Sequence, residues 1–183
     1  YGFICFVGTY SSLATLIVFL WIEFPILGLS GFLLISTYHF GRDQKSQLQG
    51  IPYGILVLSL TVWFWPAEVE DIFRTLIFDA DPTHIMNVIH FLGYFAIFCL
   101  LLSIKRWNSQ FVFEIFLLFS LAAFFPPLIY FSFYFVFIHS IRHINYEFAL
   151  LDPKARDEAI RTIVIYALIT IVIGVLILSL IHI

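Results

Sequence analysis

Long runs without a formal charge restrict what this sequence can fold into more than any other feature. Residues 1–22, 82–104, 115–141 and 162–183 contain no Asp, Glu, Lys or Arg. About 20 consecutive apolar residues, wound as a helix, span the hydrocarbon core of a bilayer. Hydrophobic residues make up 62% of the chain and charged residues 11%, with a mean hydropathy of +1.02. Soluble domains carry about 25% charged residues, because their surfaces need polar cover. A water-soluble fold of 183 residues could not hide this much apolar side chain. The expected class is therefore all-α, a polytopic transmembrane helix bundle forming a single domain over 1–183. The net charge of −3 and the absence of a basic patch give no sign of a nucleic-acid partner. Cys5 and Cys99 both lie in apolar runs and read as small buried hydrophobes. The chain opens at Tyr1 inside a hydrophobic stretch, so it is expected to be a fragment lacking an N-terminal helix or helices of its parent.

About seven spans can be drawn: 3–22, 25–40, 51–65, 84–104, 111–125, 127–141 and 162–182. Pro25 suits the first turn of a helix, so Glu23-Phe24-Pro25 breaks the first hairpin. Asp81-Pro82 reads as a cap that starts the fourth span. Pro126-Pro127 interrupts what would otherwise be one helix over 111–141. Unbroken, that helix would extend roughly 46 Å, well beyond a core of about 30 Å. The stretch 66–78 reads as a short interfacial helix with Val69, Ile72, Phe73 and Ile77 on one side.

Basic residues set the expected orientation. Arg42, Lys45, Lys105, Arg106, Arg142, Lys154, Arg156 and Arg161 fall on one side, and Arg74 alone on the other. The basic side is expected to be cytoplasmic, in a multi-pass protein of the inner cell membrane. Glu68, Glu70, Asp71, Asp79 and Asp81 then face outward.

This orientation sorts the six histidines. His39 ends the second span, and His139 and His143 end the sixth, on the same side. His139 and His143 are four apart, which puts them one helical turn apart on one face. Two imidazoles at that spacing can share a metal ion. Polar groups at membrane depth usually face the bundle interior. His39, His139 and His143 are thus the candidate metal ligands and catalytic residues. Imidazole suits Zn, Cu, Fe and Ni, so the residues alone leave the metal open. Tyr38, Asp43, Asn145, Tyr146 and Glu147 are candidate partners for the outer ring nitrogens. His84 reads as interfacial, and His90 as a ligand only if the bundle turns it inward. Aromatic residues make up 20% of the chain. Tyr130, Tyr134 and Phe137 recur at helical steps beside His139 and are the candidate wall of a tunnel for a long apolar molecule.

Two segments carry a resemblance: Ser36-Thr37-Tyr38-His39-Phe40-Gly41 and Tyr134-Phe135-Val136-Phe137-Ile138-His139-Ser140-Ile141-Arg142-His143. Together with Gly50-Ile51-Pro52, Trp65-Pro66-Ala67-Glu68-Val69 and Ile72-Phe73, they resemble the Brp/Blh family of membrane β-carotene 15,15'-dioxygenases over roughly 25–145. The resemblance implies a carotenoid cleavage dioxygenase that uses Fe(2+) and dioxygen to split the central double bond of β-carotene into two retinals. It maps metal ligands onto His39, His139 and His143, and implies one further histidine in an earlier helix that no residue here matches. Retinal would then be available to a rhodopsin in the same bilayer. Two other readings stay open: a non-catalytic haem or metal-binding membrane protein with His39 and His143 as axial ligands, and a small-molecule transporter using Glu114, His90 and Arg142.

Overall fold

A computed structural model describes the backbone of residues 2–42, 44 and 47–181, with the side chains of 2–4, 47, 171 and 174–181 outside the description. Among the described residues every regular element is helical, as bilayer residence demands of a chain whose own backbone must satisfy its N–H and C=O groups. The elements are α1 (Gly2–Glu23), α2 (Pro25–Gly41), α3 (Gln47–Phe64), α4 (Pro66–Leu76), α5 (Thr83–Leu102), a 3-10 turn (Ile104–Arg106), α6 (Ser109–Phe124), α7 (Pro127–Phe133), a π-wound segment (Tyr134–His139), α8 (Ser140–Leu150) and α9 (Pro153–Ile181).

The chain divides into two compact units, Tyr1–His139 and Ser140–Ile183. Cys5–Glu23 and Thr83–Leu102 are long and apolar enough to cross a membrane. A third candidate exists if Leu48–Phe64 and Pro66–Leu76, bent by 110°, count as one span. The 17 residues of α2 extend only about 25 Å at 1.5 Å per residue.

In the first unit, α3 packs against α2, α4, α5 and α6. Tyr53, Leu56, Val57 and Leu60 of α3 are buried with Leu118 and Ala122 of α6, Tyr130 of α7 and Tyr134. A second cluster joins Leu29 and Val62 to Val69, Phe73 and Ile77. The expected apolar side of 66–78 is thus buried on protein.

Lipid gives helices little hydrophobic reason to associate, so close packing and polar ties matter more. Two of the three ties here go to carbonyls that a helix cannot satisfy itself. Trp65 Nε1 donates to Ala122 O at 2.7 Å. The residue four beyond Ala122 is Pro126, which has no N–H to offer. Trp21 Nε1 likewise donates to Leu76 O, in the last turn of α4, at 2.9 Å. The Tyr130 hydroxyl donates to Val57 O at 3.1 Å.

Helix ends follow local chemistry. Asn108 Oδ1 accepts from Phe111 N at 2.7 Å to start α6. Asp81 accepts from Thr83 N at 3.0 Å and from Thr83 Oγ1 at 2.5 Å. These bonds hold the Asp81 carboxyl below the usual carboxylate range, with Arg74 and His84 adding smaller attractions. The Arg74 guanidinium is raised, chiefly by its hydrogen bond to Glu70.

Two expectations are corrected. The span over 127–141 is not one α-helix, because its middle is π-wound from Tyr134 to His139. The last helix begins at Pro153, not 162, with Asp152 Oδ1 accepting from Ala155 N at 2.9 Å. The second unit consists of α8 and α9, and Arg156 Nη2 donates to Phe148 O at 2.9 Å across their connection.

Candidate metal centre

At the last turn of α2, backbone runs close against the backbone of α3. A Cβ added at Gly41 would stand 2.7 Å from Gly50 O, and one at Gly50 would stand 2.8 Å from Gly41 O. A Cβ at Gly54 would collide with Thr37 O and reach 3.0 Å from Gly41 N. Only glycine lets α2 lie this near α3.

This contact sets where His39 stands. Its neighbour Phe40 is 4% exposed and packs edge-on against Tyr134 and Phe135, with ring centroids 5.1 and 5.4 Å away. His39 itself is exposed and faces His139: their Nε2 atoms are 3.2 Å apart across 100 residues of sequence.

The π winding accounts for the posture of His139. In an α-helix, residues five apart point about 140° away from each other. In a π-helix, i and i+5 are hydrogen-bonded neighbours. Tyr134 and His139 are five apart, and their rings stack at 6.2 Å with an interplanar angle of 27°. Phe135 meets the His139 ring edge-on at 5.6 Å. Each imidazole is therefore held by aromatic rings while its Nε2 points at the other.

This donor set suits a metal ion. Two nitrogens 3.2 Å apart, each bound at about 2.1 Å, would subtend roughly 100° at one ion, between octahedral and tetrahedral values. Neutral imidazoles are good donors for divalent iron, zinc, copper or nickel. Without a metal the same contact serves as an imidazole–imidazole hydrogen bond, one ring donating and the other accepting. Among the described residues of this unit, no further His, Cys, Asp or Glu completes a group of three.

The other expected site residues fall in several places. His143 lies on α8 in the second unit, 65% exposed, with Nδ1 3.9 Å from Glu147 Oε1. Asn145 is exposed on the same helix. Tyr38 is 62% exposed on α2. Asp43 and His182 lie outside the described residues, as does Lys45. Tyr130, Tyr134 and Phe137 do not form the expected shared stripe. The first two are fully buried, whereas Phe137 is 58% exposed and ends a stacked ladder with Phe125 and Phe133. The π segment redirects the spacing on which the stripe depended.

His90 turns outward: its Nε2 is 3.1 Å from Tyr94 Oη, and Trp63 stacks on Tyr94 at 4.9 Å. His84 lines a cavity of about 380 Å³ between α2, α3 and α5, with Ile26, Ser30, Leu33, Leu34, Thr37, Ser59 and Ile89. At 100° per residue, Ser30 and His39 project from opposite sides of α2. The cavity and the histidine pair are thus separated by that helix. On the pair's own side, Phe32 (53% exposed) and Ile35 (70% exposed) run down α2 to His39 as an open apolar stripe. Sequence reasoning missed Phe40, Phe135 and this stripe. The 32, 35, 39 spacing was a usable signal for it.

The profile of the family described as Beta-carotene 15,15'-dioxygenase matches residues 1–182. The chain belongs to that family. The match extends the resemblance seen over 25–145 to almost the whole chain. A relative named Beta-carotene 15,15'-dioxygenase, from uncultured marine bacterium 66A03, is 32% identical over 161 residues. That alignment covers 81% of this chain and 58% of the relative, so the chain spans little more than half the relative's length. No solved structure gives a significant match.

Proposed function

We propose that this chain carries part of the catalytic core of an enzyme that cleaves β-carotene at its central double bond with dioxygen, giving two retinals. The observation that carries the reading is the 3.2 Å approach of the His39 and His139 Nε2 atoms from residues 100 apart. Family membership supplies the reaction class. His39, His139 and His143 would hold Fe(2+). When bound, the iron supplies dioxygen activation.

The protein's own residues do the positioning. Phe40 and Tyr134 hold the two imidazoles. Phe32 and Ile35 offer the polyene an apolar track that ends at His39, and Phe135 flanks it. Tyr130 and Tyr134 form the packed wall behind the pair, and Phe137 faces the lipid from which the substrate arrives. The surrounding apolar surface excludes water, which protects the reacting alkene and orients it. The reaction balances without a reductant: one C=C breaks, two C=O form, and both oxygens come from one dioxygen. Seven spans, the inner cell membrane and cytoplasmic basic loops remain the arrangement we propose, with retinal passing to a rhodopsin in the same bilayer. Tyr38, Asp43 and Asn145 remain proposed partners of the outer ring nitrogens.

The test is expression of the protein in a carotene-making bacterium, with extracted pigments read by chromatography. Carotene should give way to retinal, and His39→Ala, His139→Ala or His143→Ala should abolish the change. Unaltered carotene beside well-inserted wild-type protein would refute the assignment.

A further inference from the structure

A carboxylate inside an apolar helix is expensive and calls for a reason. Glu114, in the middle of α6, is 6% exposed and shares its buried face with Phe111, Leu118 and Ala122. The Tyr53 hydroxyl, fully buried on α3, donates to Glu114 Oε1. Gln44 Nε2 donates to the same oxygen at 3.4 Å. Gln44 lies in the connection directly after α2, where its N–H bonds Gly41 O at 3.1 Å. One carboxylate on α6 therefore grips α3 and the end of α2 together. It does so beside the Gly41, Gly50 and Gly54 contact that presses α2 onto α3.

Replacing both partners of a buried polar pair by apolar side chains of similar volume is often neutral or stabilising. A carboxylate here is thus poorly explained by stability alone. The turn it secures is the one that carries His39. The geometry points to Glu114 as a positioning residue: through Tyr53 and Gln44 it fixes the last turn of α2 so that His39 stands against His139. The inference rests on the metal-pair reading for its purpose, but the clamp itself can be tested without metal.

Two measurements on the full chain in lipid nanodiscs separate the claims. First, nitroxide labels on His39→Cys and His139→Cys report the spread of distances between the two sites by pulsed electron resonance. Glu114→Leu should broaden that distribution, and Tyr53→Phe should broaden it less. Glu114→Gln, whose amide oxygen can still accept both hydrogen bonds, should restore it. Second, Co(2+) titrated into the native histidine background and followed by visible absorption should bind Glu114→Leu about 10- to 100-fold more weakly. The thermal midpoint of the double variant Tyr53→Phe/Glu114→Leu, which leaves no buried hydroxyl unpaired, should stay level or rise, which a merely structural role would not allow.

An unchanged distance distribution in Glu114→Leu and Tyr53→Phe would overturn the clamp, as would Glu114→Gln failing as badly as Glu114→Leu. If the distances broaden while wild-type protein binds no Co(2+), the clamp stands and the metal reading falls.

Discussion

Gly54→Ala puts one methyl group where α2 and α3 meet. The added Cβ would collide with Thr37 O and come within 3.0 Å of Gly41 N. Both obstacles are backbone atoms, so no side chain can rotate away, and the helices must separate. Overpacking typically costs about 1–3 kcal/mol, and a backbone obstacle puts this case at the upper end, about 2–3 kcal/mol. That is a loss of roughly 30- to 150-fold in the folded ratio. The helix propensity of alanine returns at most about 1 kcal/mol. Gly31→Ala is the matched control, because nothing lies within 4 Å of a Cβ there. It should be neutral or more stable by about 0.5–1 kcal/mol. Unfolding in mixed micelles, titrated with a denaturing detergent and followed by tryptophan fluorescence, measures both. Thr37 is two residues from His39, so Gly54→Ala should also weaken metal binding. Equal unfolding midpoints for Gly54→Ala and wild type would refute the close-contact argument, as would equal damage from Gly31→Ala.

Other outcomes follow from single contacts. Trp65→Phe leaves Ala122 O without its indole donor and should cost about 1–3 kcal/mol, read as an earlier unfolding midpoint. Tyr130→Phe removes the hydroxyl bound to Val57 O and should cost about 1 kcal/mol, because a helical carbonyl keeps its own ladder partner. Asp81 has a lowered pKa in the folded chain, so its bonds from Thr83 contribute fully above the ordinary aspartate value of about 3.9. That contribution is lost as pH falls through the lower folded value. An NMR titration of Asp81 should show the depressed midpoint, and Thr83→Ala should move it back up.

The membrane class, the start of α2 and the break after α6 were legible because charge-free runs and prolines act locally. The convergence of His39 and His139 was legible for a different reason. The distribution of basic residues leads one to expect both at one membrane level, and histidine at such a depth seeks a partner. The π winding at Tyr134–His139 was not legible. One extra residue per turn leaves the apolar pattern unchanged, and the choice is made by how Tyr134 and Phe135 pack on Phe40. For the same reason the three- and four-residue spacing of Tyr130, Tyr134 and Phe137 misled. Glu114 carried a signal that was open to reading: a lone carboxylate between Phe113 and Ile115 in an otherwise apolar helix. The glycine contact carried a weaker one, since Gly50 and Gly54 stand four apart on one face of α3.

Iron-edge X-ray absorption on the purified protein tests the metal pair most directly. The fine structure should show imidazole scattering at about 2.1 Å, and the signal should lose one ring in His39→Ala and one in His139→Ala. Iron with no imidazole in its shell, or a spectrum that neither substitution alters, would contradict the account.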